Sequence, residues 1–175
     1  MHVNFAYRGQ SKPRNRILQV DGARITFRNF EGRKDKYNKE GDRNFALIID
    51  DEEIKDALVN DLNEFGVGFN VKIKPPREEG QRPFMYLPVA VKFNDYGPDI
   101  YLICGNKRTQ LDEASVGCLD RAAIVNVDMD IRVYDDEGTY GPFRKAYLQK
   151  MYVTIEEDRF ASRYGDTDED GQLPF

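Results

Sequence analysis

Apolar residues recur in this chain with two different periods, and the switch between them marks out its elements. From Arg16 to Phe30 the pattern alternates around Ile17, Ile25 and Phe27, the period of a strand with one buried face. Asp21-Gly22 interrupts the run, either as a hairpin turn or as a bulge that bends one longer strand. Residues 31–42 carry no apolar period and two glycines, which predicts a long polar loop. Strand character returns at Asn44–Ile49. Ile54, Leu58, Leu62 and Phe65 then follow at spacings of four, four and three, a helical stripe that predicts a helix over about Asp51–Phe65. Asp51, Glu52 and Glu53 suit the positive end of its dipole, and Gly66 suits its stop.

Further strands are expected at Phe69–Lys74, Phe84–Phe93, Asp99–Cys104, Ile124–Tyr134 and Ala146–Ile155. The breaks hold Pro75-Pro76, Asn94-Asp95-Tyr96-Gly97-Pro98 and the run Glu137 to Pro142. Leu111–Leu119 reads as a second, short helix. Residues 1–15, polar with Pro13 and scattered bases, read as a flexible N-terminal arm. Many short strands, one or two inserted helices and long loops give a mainly β fold. A small closed barrel and an open sandwich both fit, and periodicity does not separate them. With no repeat or internal linker, residues 16–157 form one domain, followed by a tail over 158–175.

Composition narrows the function. The 175 residues are 40% hydrophobic and one-third charged, with a mean hydropathy of −0.68, enough for one core with polar loops. No apolar run approaches the ~20 residues of a membrane helix, and Met1–Arg8 lacks a signal-peptide core. The expected location is therefore the cytoplasm. Cys104 and Cys118 read as ordinary buried thiols, without the paired ligands of a zinc site. A single histidine disfavours most acid–base and nucleophilic catalysis. There is neither a Gly-Lys-Ser/Thr phosphate loop nor Gly-x-Gly-x-x-Gly. Asp128 and Asp130 fit strand alternation, and Asp50 to Glu53 fit helix capping. The expectation is a non-enzymatic protein without cofactor or metal.

The net charge of −5 looks wrong for a polyanion binder until it is divided along the chain. Residues 156–175 hold seven acids against Arg159 and Arg163, which accounts for the whole imbalance. Residues 1–45 hold eleven Lys and Arg against five Asp and Glu. Such segregation leaves a basic surface free to attract nucleic acid.

The acidic run ends on Gly171-Gln172-Leu173-Pro174-Phe175, too poor in apolar residues to fold alone, so a disordered acidic tail is expected. An aromatic ring beside a terminal carboxylate is a compact anchor for a partner. Asp168-Glu169-Asp170-Gly171-Gln172-Leu173-Pro174-Phe175 resembles the acidic tip, ending in Pro-Phe, of bacterial single-stranded DNA-binding proteins. Gly22 to Phe30, a polar loop, and Asn44 to Asp50 followed by a helix are similar to the opening of phage-type single-stranded DNA-binding proteins. That second resemblance covers roughly a quarter of the chain. Together they imply a single OB-type β-barrel. They also imply a tip (Asp168, Glu169, Asp170, Leu173, Pro174, Phe175) that recruits replication, recombination or repair proteins and competes with DNA for its groove.

Single-strand binding without sequence readout needs cations along the phosphates and rings that stack on bases. Ten Tyr and eleven Phe supply the rings. Tyr37 amid Arg33, Lys34 and Lys36 interleaves both ingredients. Alternation adds Arg24 and Arg28, with Ile25 and Phe27 inward; Arg132 and Tyr134; Lys72 and Lys74; and Lys150 and Tyr152 on one face with Leu148, opposite Tyr147 and Met151. Arg43, Tyr86, Lys107 and Arg108 complete the candidates. Phe27, Phe45 and Phe93 are expected in the core. The sequence thus points to binding and protecting single-stranded DNA, in a form compatible with self-association. The alternative is a protein-interaction or structural module with a solubilising tail.

Overall fold

The computed structural model describes residues 1–157. Ten strands form one sheet: β1 (His2–Tyr7), β2 (Arg16–Ala23), β3 (Ile25–Asn29), β4 (Arg43–Ile49), β5 (Lys72–Lys74), β6 (Phe84–Val91), β7 (Asp99–Cys104), β8 (Lys107–Leu111), β9 (Ile124–Gly138) and β10 (Gly141–Ile155). One α-helix, α1 (Glu52–Val59), and two 3-10 turns at Pro13–Asn15 and Val116–Asp120 complete it. The hydrogen-bonded order is β1-β2-β9-β10-β6-β4-β3, with β5 added to β6, β7 to β10 and β8 to β7. The mainly β architecture expected from the sequence is present. Its sheet is not closed, because the path ends at β1 and β3.

Alternation on the long strands builds the core. Leu18 and Val20 of β2, Phe45 and Leu47 of β4, Leu87 and Val89 of β6, and Val127, Met129 and Ile131 of β9 are all buried. Alternating neighbours on these strands point to the opposite face of the sheet.

Several boundaries differ from the sequence reading, each for a local reason. The expected flexible arm is corrected, since His2–Tyr7 pairs antiparallel with β2 over six residues, and Val3 and Phe5 pack against the core. The break expected at Glu137–Pro142 is only a tight turn, so β9 and β10 form one long hairpin with Gly138 opposite Gly141. Asp21-Gly22 is a bulge, not a hairpin: β2 shifts register against β9 between Val20 and Ala23. There the Gly22 N–H donates to the Asp128 carboxylate at 2.9 Å. Of the predicted short helix, only Val116–Asp120 forms, as a 3-10 turn.

Helix α1 starts as expected, with the Asp51 carboxylate accepting from the Glu53 and Ile54 N–H groups. It ends far short of Phe65. The returning chain runs against its last turn, where the Phe69 N–H donates to the Leu58 carbonyl at 3.1 Å. A side chain at Gly68 would run into the Val59 carbonyl. The buried Asn63 then closes a separate turn, accepting from the Phe65 and Val67 N–H groups at 2.9 and 3.0 Å. Leu62 and Phe65 are exposed as a result.

Candidate nucleic-acid interface

Strand β10 carries the centre of the candidate surface, and a bulge arranges it. Leu148 pairs with Ile131 and Lys150 with Asp130, so Gln149 is an extra residue. Before it, Arg144, Ala146 and Leu148 are buried; after it, Met151 and Val153 are buried. The inward parity changes at the bulge. Lys145, Tyr147, Lys150 and Tyr152 therefore share the outer face, alternating cation and ring. The strict alternation read from the sequence is corrected here: Leu148 belongs to the core, and Tyr147 joins Lys150 and Tyr152.

Neighbouring strands extend this row. Tyr152 pairs with Tyr101 of β7, and their rings stack with centroids 4.9 Å apart and planes 17° from parallel. The Arg108 guanidinium lies 5.0 Å from the Tyr101 ring and the Lys150 ammonium 5.5 Å from the Tyr152 ring. Farther along, the Arg132 guanidinium sits 4.6 Å from the Tyr147 ring, with the Lys145 ammonium at 5.2 Å. Burial lowers the Arg132 pKa from its ordinary value, but an arginine stays charged at neutral pH. The Tyr134 hydroxyl donates to Asp136 at 3.0 Å, which raises its pKa and keeps the phenol neutral. Asp130, beside Lys150, has its pKa raised by burial above all.

Where β10 meets β6, Tyr147 opposite Ala90, a groove of about 730 Å³ opens. Lys72, Pro88, Ala90, Lys92, Lys145 and Tyr147 line it. None of its three lysines has an acidic partner within ion-pair distance among the described residues. Rings on the row offer flat apolar faces and its cations offer charge, the two demands of an unpaired strand.

The loop between β3 and β4 borders this groove and is held by its asparagines. The Asn38 amide donates to the carbonyls of Arg33, Lys39 and Asp42, and its oxygen accepts from Asn44. The Asn29 oxygen accepts from the Gly32 and Arg33 N–H groups. Tyr37, 89% exposed, stands at the loop's surface with Lys36 5.6 Å from its ring.

A family model described as "Putative phage ssDNA-binding domain" matches residues 9–172. The chain belongs to this family. No curated protein sequence matches it. Among solved structures, the single-stranded DNA-binding protein from bacteriophage Enc34 is similar, at 13% identity over 97% of this chain and 99% of that one, with a TM-score of 0.55. The same phage protein in complex with ssDNA is 16% identical over 82% of this chain and 89% of that one, with a TM-score of 0.51. At such identities the likeness is one of fold. Membership of an ssDNA-binding family makes the chain a binding protein and not an enzyme. No helix among the described residues is long and apolar enough to cross a membrane.

Within this phage ssDNA-binding domain the sequence-predicted residues divide. Arg108, Arg132, Lys150 and Tyr152 lie on the row, Tyr134 at its end, and Lys72 in the groove. Lys107 is exposed in the β7–β8 hairpin. Lys74 and Tyr86 meet on the adjoining β5–β6 face, 5.8 Å apart. Lys34, Lys36 and Tyr37 project from the loop. Other cations are engaged with protein groups. The Arg28 guanidinium donates to the carbonyls of Leu119 and Ala122 at 2.8 Å each. Arg43 pairs with Glu113, Arg24 with Asp50, and Arg33 with Glu31 and Asp120. The tip residues Asp168, Glu169, Asp170, Leu173, Pro174 and Phe175 lie outside the described residues.

Sequence reasoning missed Tyr101, Tyr147 and Lys145. Tyr101 lies on an expected strand with no local cation to single it out, Lys145 falls before the expected start of its strand at Ala146, and Tyr147 is turned to the wrong face by the bulge at Gln149. Cys118 is exposed and Cys104 half-buried, which corrects the buried thiols. Phe27, expected in the core, is 54% exposed. Phe45 is buried, and Phe93 packs partly buried against the core.

Proposed function

We propose that this chain binds single-stranded DNA without strong sequence preference, along the outer face of an open OB-type barrel. The observation that carries the reading is the stacked Tyr101–Tyr152 pair flanked by the Arg108 and Lys150 cations. Two rings facing out of a sheet, each with a cation beside it, suit bases and phosphates alternately. Membership of the phage ssDNA-binding family and the fold shared with an Enc34 protein solved with ssDNA support the same conclusion.

In this reading the protein covers and protects single strands during phage DNA replication, recombination or repair in the host cytoplasm. The acidic segment from Asp168 to Phe175 recruits partner enzymes, with the Phe175 ring as its anchor. Removal of Phe175 should leave DNA binding intact and abolish capture of replication or repair proteins. Capture that persists without Phe175 would reduce the tail to a solubilising extension.

Salt dependence tests the row itself. Each cation that neutralises a phosphate contributes about 0.7 to the slope of log affinity against log salt on single strands. Replacing Arg108 and Lys150 together with Ala should weaken binding and flatten the slope by about 1.4. An unchanged slope would remove these cations from the interface.

A further inference from the structure

The strand β3 contains a second irregularity whose product is an exposed ring. Thr26 pairs with Ala46 and Asn29 with Asn44, so two residues, Phe27 and Arg28, stand against the single Phe45. Phe27 takes φ +50°, a left-handed conformation that bulky L-residues rarely adopt. The residue is 54% exposed instead of filling the core. A strained backbone that leaves half of a phenylalanine in solvent costs more than an ordinary core placement would, and such outliers concentrate where a ligand is held.

Phe27 is not alone there. Its ring meets Tyr86 edge-on at 5.5 Å and 79°, and Phe84 at 6.1 Å and 83°. Phe84 and Tyr86 lie 5.5 Å apart with planes 29° from parallel. The Lys74 ammonium stands 5.1 Å from the Phe27 ring and 5.8 Å from Tyr86. Lys72 and Lys74 pair across the ladder with Tyr86 and Phe84, and neither has an acidic partner among the described residues. The β6 face that carries Tyr86 continues through Pro88 to Ala90, opposite Tyr147. Lys72 also lines the groove between the two faces.

We propose that Phe27, Phe84, Tyr86 and Lys74 form a second base-stacking site, which receives the strand after it leaves the tyrosine row through the groove. Phe27 is the ring that takes the base, and Lys72 and Lys74 hold the phosphates on either side of it. The occupant is a nucleotide of the same single strand, because free cations beside clustered rings complement an unpaired polyanion and not an apolar peptide. This inference rests on the single-strand reading of the row.

The experiment is anisotropy titration of the full chain with labelled oligo-dT of two lengths, about five and about twenty nucleotides, within and beyond the reach of one stacking site. The wild type should gain affinity with length beyond the statistical increase in sites. Phe27→Gly should lose about ten-fold for the long strand, the effect of one unstacked base, and much less for the short strand, which the tyrosine row still binds. Its melting temperature should hold or rise, because glycine accepts the positive φ without strain. A role in packing would instead lower the melting temperature at both lengths' expense. A full length gain in Phe27→Gly, equal losses at both lengths, or no length gain in the wild type would overturn the second site. Failure of the wild type to bind either strand would overturn the single-strand reading itself.

Discussion

Tyr147 and Tyr152 lie an odd number of residues apart on one strand and yet point to the same side of the sheet. Gln149, unpaired with β9, supplies the missing half-period. Deleting Gln149 would force one half of β10 to turn its outer residues into the core, because a one-residue slip exchanges the two faces. The deletion should abolish the cooperative thermal transition followed by circular dichroism, whereas Gln149→Ala should retain it. A deletion variant that melts like the wild type would show that the bulge is dispensable.

Asp130 places an acid on the outer face, next to Lys150. Burial raises its pKa, with Asp21 adding in the same direction and Lys150 opposing. The folded state therefore binds this proton more tightly than the unfolded chain. The stability it contributes is complete below the unfolded carboxylate pKa, near 3.9, and is lost as pH rises through the higher folded value. Asp130→Asn should remove that loss, so the difference in melting temperature from wild type should grow in the variant's favour from about pH 4 toward neutrality. Its single-strand affinity should also increase, since one negative charge leaves the DNA path. A constant difference across that range would contradict the assignment.

Arg144 holds the far end of β10 from within. Its side chain is 1% exposed, donating to the Asp135 carboxylate at 2.8 and 3.1 Å, to the Asp61 carboxylate at 3.0 Å and to the Pro13 carbonyl at 3.1 Å. Arg16 donates to the same Asp61 at 2.7 Å. Arg144→Met leaves the Asp135 carboxylate buried without its partner and should cost ~3–5 kcal/mol in denaturant unfolding. Adding Asp135→Asn to that variant should recover part of the loss. A near-neutral Arg144→Met would mean that the cluster is well solvated.

What was legible in the sequence follows a physical division. The core strands β4, β6, β7 and β9 were readable because regular alternation is a local property, and Asp51 announced the start of α1. Features set by distant chain were not. The end of α1 is imposed by Gly68 and Phe69 returning against it, and β1 forms because β2 offers it a partner. Bulges at Phe27 and Gln149 leave no distinct residue signature, and each reverses the faces beyond it. Hence the alternation turns Phe27 and Tyr147 inward, while Arg132, Lys150 and Tyr152 fall on the outer face in both the sequence reading and the structure. Arg28 and Arg43 looked like free cations because the carbonyls and the Glu113 carboxylate that engage them lie far along the chain.

The central claim is that the outer face binds unpaired strands by stacking them on Tyr101 and Tyr152. Fluorescence titration of the full chain with oligo-dT and with its duplex, at one salt concentration, tests it most directly when repeated on Tyr152→Ala. The single strand should bind well above the duplex, and Tyr152→Ala should lose ~1–3 kcal/mol of that affinity with its melting temperature preserved. Equal affinity for single strand and duplex, or a Tyr152→Ala variant that binds like the wild type, would contradict the account.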